Sequence, residues 1–192
     1  MKVSWLITGS LPAMAIPGIL FSLRSHYPAI SVSPFVTESA SRMVTRTLLD
    51  HFAGAASHLD IWEEVGSPAS NSVPSKHIDL EASFDAFVVA PASLDFMVRF
   101  VHYDCSSPFR LALQCTRKPV VLAPCLPPGG IDSVAYLDVV DKLARWDNVS
   151  LLPPVPTLSV ALSDRSSAGF GDPTRLMDFV LQSLEVTDGG DL

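Results

Sequence analysis

Within residues 77–93 a histidine, His77, stands fourteen residues ahead of Pro91-Ala92-Ser93. Between them runs Phe87-Val88-Val89-Ala90, an unbroken apolar stretch of the kind buried on both faces of a parallel sheet. Ligands of open α/β sheets sit outside the carboxyl ends of the strands. A small residue and a hydroxyl placed there, Ala92 and Ser93, let a flat cofactor approach closely. His77 follows Ser75, an N-cap type, which predicts the first turn of a short helix for it. The positive end of a helix disfavours imidazolium and leaves a ring able to accept a proton. The segment therefore reads as a cofactor site with a general base nearby. The plainer alternative is a histidine packed at a loop–helix junction, and His26, His51, His58 and His102 receive that reading.

Two further segments carry donors. Ile7-Thr8-Gly9-Ser10 ends an apolar strand and leads into a helix. A glycine there admits an anion to the backbone, and unpaired helix N–H groups attract phosphate. By itself such a join is more often only a tight turn. Thr37-Glu38-Ser39-Ala40 follows a second strand and places hydroxyls at the next helix start, where plain N-capping is the competing role. Neither a Walker-type glycine loop nor a long dinucleotide fingerprint is present.

These residues are held by alternating elements. Strands are expected at Val3–Thr8, Ala29–Val36, 85–90, 119–123 and 149–152. Helices are expected at Leu11–Arg24, Glu38–Phe52, through about 116 after the third strand, near 132–145 and at Thr174–Leu184. Met43, Leu48 and Phe52 lie near one stripe of the second helix, with Gly54 as its C-cap. Residues 65–76 and the proline-rich stretch after 152 read as loops. Alternation of β and α predicts a parallel sheet covered by helices on both faces. Residues 1–185 read as one domain, with 186–192 as a disordered tail.

The 192 residues suffice for a substantial core, and a hydrophobic content of 48% exceeds what a monomer needs, which predicts surface buried between subunits. No apolar run reaches the ~18 residues of a membrane span. A formal charge of −7 argues against a nucleic-acid partner. Ala13-Met14-Ala15 has the small residues of a signal-peptidase site, but Gly9, Ser10 and Pro12 interrupt the apolar run and cleavage would delete the first strand. Cys105, Cys115 and Cys125 are odd in number and lack Cys-x-x-Cys spacing, so reduced thiols in a cytoplasm are expected, with no metal site. Cys125 reads as a structural cysteine.

The chain resembles the flavin-containing cysteine decarboxylases, a family that includes phosphopantothenoylcysteine decarboxylases and the peptidyl-cysteine decarboxylases of lantibiotic-type biosynthesis. His77-Ile78-Asp79-Leu80 matches their His-Ile-(Asp/Asn)-(Leu/Ile) motif. Pro91-Ala92-Ser93 matches the first half of their Pro-Ala-Ser-Ala-Asn-Thr motif, and Leu94-Asp95-Phe96 departs from the second. Pro124-Cys125-Leu126-Pro127 follows the strand before their Pro-x-Met-Asn-x-x-Met-Trp signature, with the substrate-holding asparagine replaced by Pro127. Backbone N–H groups at Gly129 and Gly130 are the expected substitute for the carboxylate grip, or else the activity has changed. The late Ser163–Gly171 stretch keeps a Gly-Phe-Gly sequence but lacks the cysteine with which the coenzyme A branch re-reduces its intermediate. The likeness is closest over residues 3–146.

The resemblance implies a flavodoxin-like or Rossmann-like three-layer sandwich, assembled as a trimer or a dodecamer of trimers with FMN at the subunit interfaces. FMN is implied rather than NAD or ATP, held by Gly9, Ser10, Thr37, Ser39, Ala92 and Ser93, with His77 as base. The implied reaction is oxidative decarboxylation of the C-terminal cysteine of a ribosomally made precursor peptide. Two electrons leave the cysteine to give a thioaldehyde, whose C=S then accepts the electrons released with carbon dioxide, leaving an enethiolate for aminovinyl-cysteine products. Other peptide-modifying enzymes would be further partners; nucleic acid and membrane would not. The alternatives are a phosphopantothenoylcysteine decarboxylase and a catalytically silent flavin-binding or regulatory subunit.

Overall fold

The computed structural model describes residues 1–62, 76–159 and 162–188. Six strands form one parallel sheet: β1 (Lys2–Ile7), β2 (Ser31–Val36), β3 (His58–Leu59), β4 (Ala86–Ser93), β5 (Val120–Cys125) and β6 (Val149–Leu151). Their order is β3-β2-β1-β4-β5-β6. Without the two-residue β3 this is the flavodoxin order; with it, the doubly wound dinucleotide-fold order. The expected three-layer α/β sandwich is the observed one. The chain leaves β1 in one direction across the sheet and β4 in the other, so the switch point lies between these two neighbours.

Both faces of the central strands are apolar, as expected of a covered parallel sheet. Trp5 and Ile7 of β1 and Val88 and Ala90 of β4 point to the layer of α1 (Ile16–His26), α2 (Arg46–Ala53) and α7 (Pro173–Asp188). Leu6, Phe87 and Val89 point the other way, to α4 (Leu94–Val101), α5 (Pro108–Cys115) and α6 (Val134–Leu143). Leu80 of α3 (Lys76–Ser83) joins that second cluster. Each large side chain so buried contributes about 1.5–3 kcal/mol relative to exposure. No helix among the described residues is long and apolar enough to cross a membrane.

Several elements differ from expectation, each for a local reason. The first expected helix opens as a 3-10 turn, Leu11–Ala15, before α1 begins beside Pro17. The helix expected over Glu38–Phe52 is broken. Residues Ala40–Arg42 form a 3-10 turn, and α2 starts only at Arg46 because the Thr45 hydroxyl caps it by accepting from the Leu48 N–H. Met43 and Leu48 are consequently exposed, and Leu49 faces the core. The helical material after β4 is two helices: Tyr103 has φ 63° between them, and the Ser107 hydroxyl caps α5.

The proline-rich stretch expected to be a loop instead contains an antiparallel hairpin of β7 (Val155–Ser159) and β8 (Asp164–Gly169). The last helix runs to Asp188, three residues into the stretch expected as a tail. The loop expected at 65–76 lies, apart from Lys76, outside the described residues, as does the Ser75 cap.

Candidate functional site

The switch point is built around Thr8, at the end of β1. Its hydroxyl donates to the Pro91 carbonyl (2.6 Å) and accepts from the Ser93 N–H (2.9 Å), with Thr8 only 2% exposed. Three residues earlier, on β1 itself, the buried Trp5 indole N–H donates to the Ala90 carbonyl (2.8 Å). These bonds satisfy the carbonyls freed where β4 shifts register against β5, between Val89 and Ala92. They fix Pro91-Ala92-Ser93 at the carboxyl edge. Ser93 also caps α4 by accepting from the Phe96 N–H (3.3 Å). Ala92 is fully buried and forms part of the floor, packed in the cluster of Phe96 and Met97.

Beside it, the β1–α1 and β2–α2 turns meet. An ideal Cβ on Gly9 would lie 2.5 Å from the Ser39 Cβ and still nearer its hydroxyl oxygen, so only glycine permits this approach. Thr37 is tied to β1 through its N–H to the Ile7 carbonyl (3.1 Å), and its hydroxyl stands 3.1 Å from that of Ser39. Ser10 does not cap the following 3-10 turn. The N–H groups of Gly9, Ser10, Leu11, Glu38 and Ser39 have no acceptor among the described residues. Converging N–H groups and hydroxyls of this kind form an anion-binding nest. The donor set fits the phosphate of a flavin nucleotide.

Across β4, Cys125 ends β5 in register with Ser93. The Ser10 side chain lies within hydrogen-bonding reach of its thiol. Burial pushes that thiol's pKa up, more than the Ser10 contact lowers it. All three cysteines are free.

Beyond Cys125, the Gly130 N–H donates to the Pro127 carbonyl (2.8 Å), and Gly129 has φ 73°. This is a type II turn with Pro128 and Gly129 at its centre. The Gly130 N–H is therefore spent inside the turn, whereas the Gly129 N–H has no partner among the described residues. Leu126 exchanges both backbone hydrogen bonds with Ala168 (2.7 and 3.2 Å), which docks the β7–β8 hairpin on the end of β5. Gly169 closes β8 and Gly171, at φ 81°, makes the actual turn of the Gly-Phe-Gly sequence.

His77 occupies the second position of α3, half-buried, with the Trp62 ring edge-on at 6.1 Å. It stands at the same end of the sheet as the nest but toward the outer edge, where Trp62 follows β3. Nearby, a cavity of about 570 Å³ lies between α3 and the ends of β2 and β3, lined by Phe35, His58, Asp60, Asp79, Leu80 and Phe84. Asp60 holds α5 there, accepting from the Ser107 hydroxyl (2.6 Å) and the Phe109 N–H (2.9 Å). The structure thus gathers Gly9, Ser10, Thr37, Ser39 and Ser93 at one edge and leaves His77 over different strands. Thr8, Asp60 and the place of Cys125 were not anticipated. A hydroxyl directly after the apolar Trp5-Leu6-Ile7 run was the available signal for Thr8.

The model of the Flavoprotein family matches residues 1–185. A cypemycin cysteine dehydrogenase (decarboxylating) from Streptomyces sp is 28% identical over 170 residues, spanning 88% of this chain and 85% of the relative. The crystal structure of the cypemycin decarboxylase CypD superposes with a TM-score of 0.72 at 26% identity, covering 96% of this chain and 94% of that one. The FMN-dependent cysteine decarboxylase SpaF shares the fold, with a TM-score of 0.74 at 20% identity over 95% of this chain and 97% of that one.

Proposed function

Because the chain belongs to the Flavoprotein family, we propose that it is an FMN-dependent enzyme that oxidatively decarboxylates the C-terminal cysteine of a ribosomally made precursor peptide. The observation that carries this reading is the 28% identity to a decarboxylating cysteine dehydrogenase over 88% of the chain. The missing cysteine in Ser163–Gly171 supports it: without a thiol to return electrons, the product stays at the enethiol level.

The residues divide the work by chemistry. The N–H nest at 9–11 and 38–39, with the Ser10, Thr37 and Ser39 hydroxyls, holds the phosphate of FMN. Ser93, fixed by Thr8, supports the ring above the Ala92 floor. The flavin supplies the two-electron oxidation when bound. His77 takes the proton that the substrate releases as it is oxidised. The Gly129 N–H is the donor for the substrate carboxylate, in place of an asparagine amide. Since His77 and the nest of one chain stand over different strands, the reaction centre is completed between chains of a homo-oligomer, a trimer or a dodecamer of trimers. The enzyme works in the cytoplasm, alongside other peptide-modifying enzymes.

The test is mass spectrometry of Cys-ending peptides with the purified, FMN-loaded protein. The expected product is lighter by carbon dioxide and two hydrogens. Loss of carbon dioxide alone, or turnover of phosphopantothenoylcysteine to the saturated amine, would move the protein to the coenzyme A branch. Replacing His77 with Asn should retain flavin and lower turnover by ~10²–10⁴. One observation favours a second reading, a silent flavin-binding subunit: Pro127 offers neither side-chain donor nor N–H where the family places its asparagine. Flavin bound with no peptide turned over would establish that reading.

A further inference from the structure

We propose that Cys125 is a cofactor-contacting residue of this chain, its thiol forming one wall of the FMN site between Ser10 and Ser93. Bound FMN then shields the thiol, and a group attached to the thiol closes the site to FMN. The inference rests on the flavin reading given above.

The placement comes from three strands. β4 lies between β1 and β5. Cys125, at the end of β5, pairs in register with Ser93 at the end of β4. Ser10, from the turn after β1, reaches across to the same thiol instead of capping its own 3-10 turn. The thiol is therefore bracketed by two residues that the cofactor edge already contains. A flavin that uses both Ser10 and Ser93 would lie against this sulfur. Cys125 is half-buried.

The other two thiols make internal controls. Cys105 is exposed in the turn after α4, its sulfur bonded to the Tyr103 carbonyl (3.4 Å). Cys115 is exposed at the C-terminal end of α5, beside a groove with Arg117 and Trp146 at the opposite end of the sheet. Neither lies near the nest. Because burial keeps Cys125 protonated, its intrinsic reactivity is low, and mildly alkaline buffer is needed to label it.

The experiment uses the full chain, FMN-loaded and after flavin removal by dialysis against a chaotropic salt. Iodoacetamide forms an S–C bond, with release of iodide and the thiol proton, and peptide mapping gives the rate at each cysteine. FMN should slow labelling of Cys125 by ~10-fold or more while Cys105 and Cys115 change less than ~2-fold, since accessibility controls thiol reactivity. The flavin-free chain labelled at Cys125 should lose FMN uptake, read as quenching of FMN fluorescence. The uptake of a Cys125→Ser chain, whatever its level, should be indifferent to iodoacetamide. Equal Cys125 labelling with and without FMN would overturn the proposal, as would normal FMN uptake by the labelled chain. So would an iodoacetamide-sensitive Cys125→Ser chain. If the untreated chain binds no FMN in the same titration, the flavin reading fails and this inference with it.

Discussion

Replacing Thr8 with valine removes one oxygen and keeps the shape of the side chain. Two hydrogen bonds disappear, one to the Pro91 carbonyl and one from the Ser93 N–H. The carbonyl keeps a weaker partner in the Thr8 N–H at 3.3 Å, but the Ser93 N–H has no other acceptor among the described residues. A net hydrogen bond is worth about 0.5–1.5 kcal/mol, and a stranded buried donor costs about 1–3 kcal/mol. The Ser93 side is half-buried, so the lower part of that range, about 1–2 kcal/mol, applies, and the total is about 1.5–3.5 kcal/mol. Serine at the same position keeps both bonds and loses a methyl group, worth about 0.8 kcal/mol. Urea unfolding at one fixed protomer concentration should place Thr8→Val roughly 2 kcal/mol below Thr8→Ser. FMN affinity should fall with it, by roughly tenfold, because Ser93 loses its anchor. If the two variants unfold within ~0.5 kcal/mol of each other, Thr8 does not organise the edge and this account of the site is wrong.

Gly9→Ala forces a methyl group into Ser39 and should cost about 1–3 kcal/mol by overpacking, whereas adding Ser39→Gly to it should restore unfolding stability but not FMN affinity. Tyr136 is buried in α6, and burial raises its pKa. Its contribution is thus fully present below the unfolded tyrosine value of about 10 and is lost as pH rises through the folded one. Denaturation between pH 9 and 11 should show a steeper alkaline loss for the parent than for Tyr136→Phe. Asp50 behaves oppositely: hydrogen bonds from Ser57 lower its pKa, so its contribution holds above about pH 4 and is lost as pH falls through the folded value. Asp50→Asn should flatten that acid limb, and equal acid midpoints for the two chains would contradict it.

The edge of the sheet was readable because its signals are local. An apolar run such as Phe87–Ala90 declares a covered strand, and Gly9-Ser10 and Ser93 each stand directly after one. Parallel alternation then brings strand ends together without further information. What escaped the sequence depends on pairs distant along the chain. Cys125 meets Ser10 because β1 and β5 flank the same strand, β4, and nothing around residue 125 records that order. The β7–β8 hairpin was hidden by Pro153, Pro154 and Pro156. Proline is tolerated at Pro156 because β7 pairs on one side only, with β8. The break before α2 turned on a single hydroxyl: Thr45 caps a new helix where hydrophobic spacing alone continued the old one.

The replacement of asparagine by Pro127 is less damaging to the proposed reaction than the residue change implies. Gly129 and Gly130 are glycines for different reasons. A Cβ at Gly130 would strike the Pro127 carbonyl at 2.8 Å, so that position is packed inside the turn. Gly129 needs glycine for its φ of 73°, and a Cβ there would meet nothing within 4 Å. Its N–H thus belongs to an open position on a turn held by the Pro127–Gly130 bond and by Ser133, whose hydroxyl donates to the Gly130 carbonyl (2.7 Å). A hydrogen bond to a carboxylate is worth about 1.5–3 kcal/mol, and a backbone N–H and a side-chain amide N–H are equivalent donors to it. The backbone donor also has no side-chain rotamer to immobilise. Its position is set instead by Leu126, which locks the start of the turn to Ala168 of the hairpin. In the proposed reaction the carboxylate grip has passed from a side chain to the frame of the fold, and the β7–β8 hairpin becomes part of what positions the substrate.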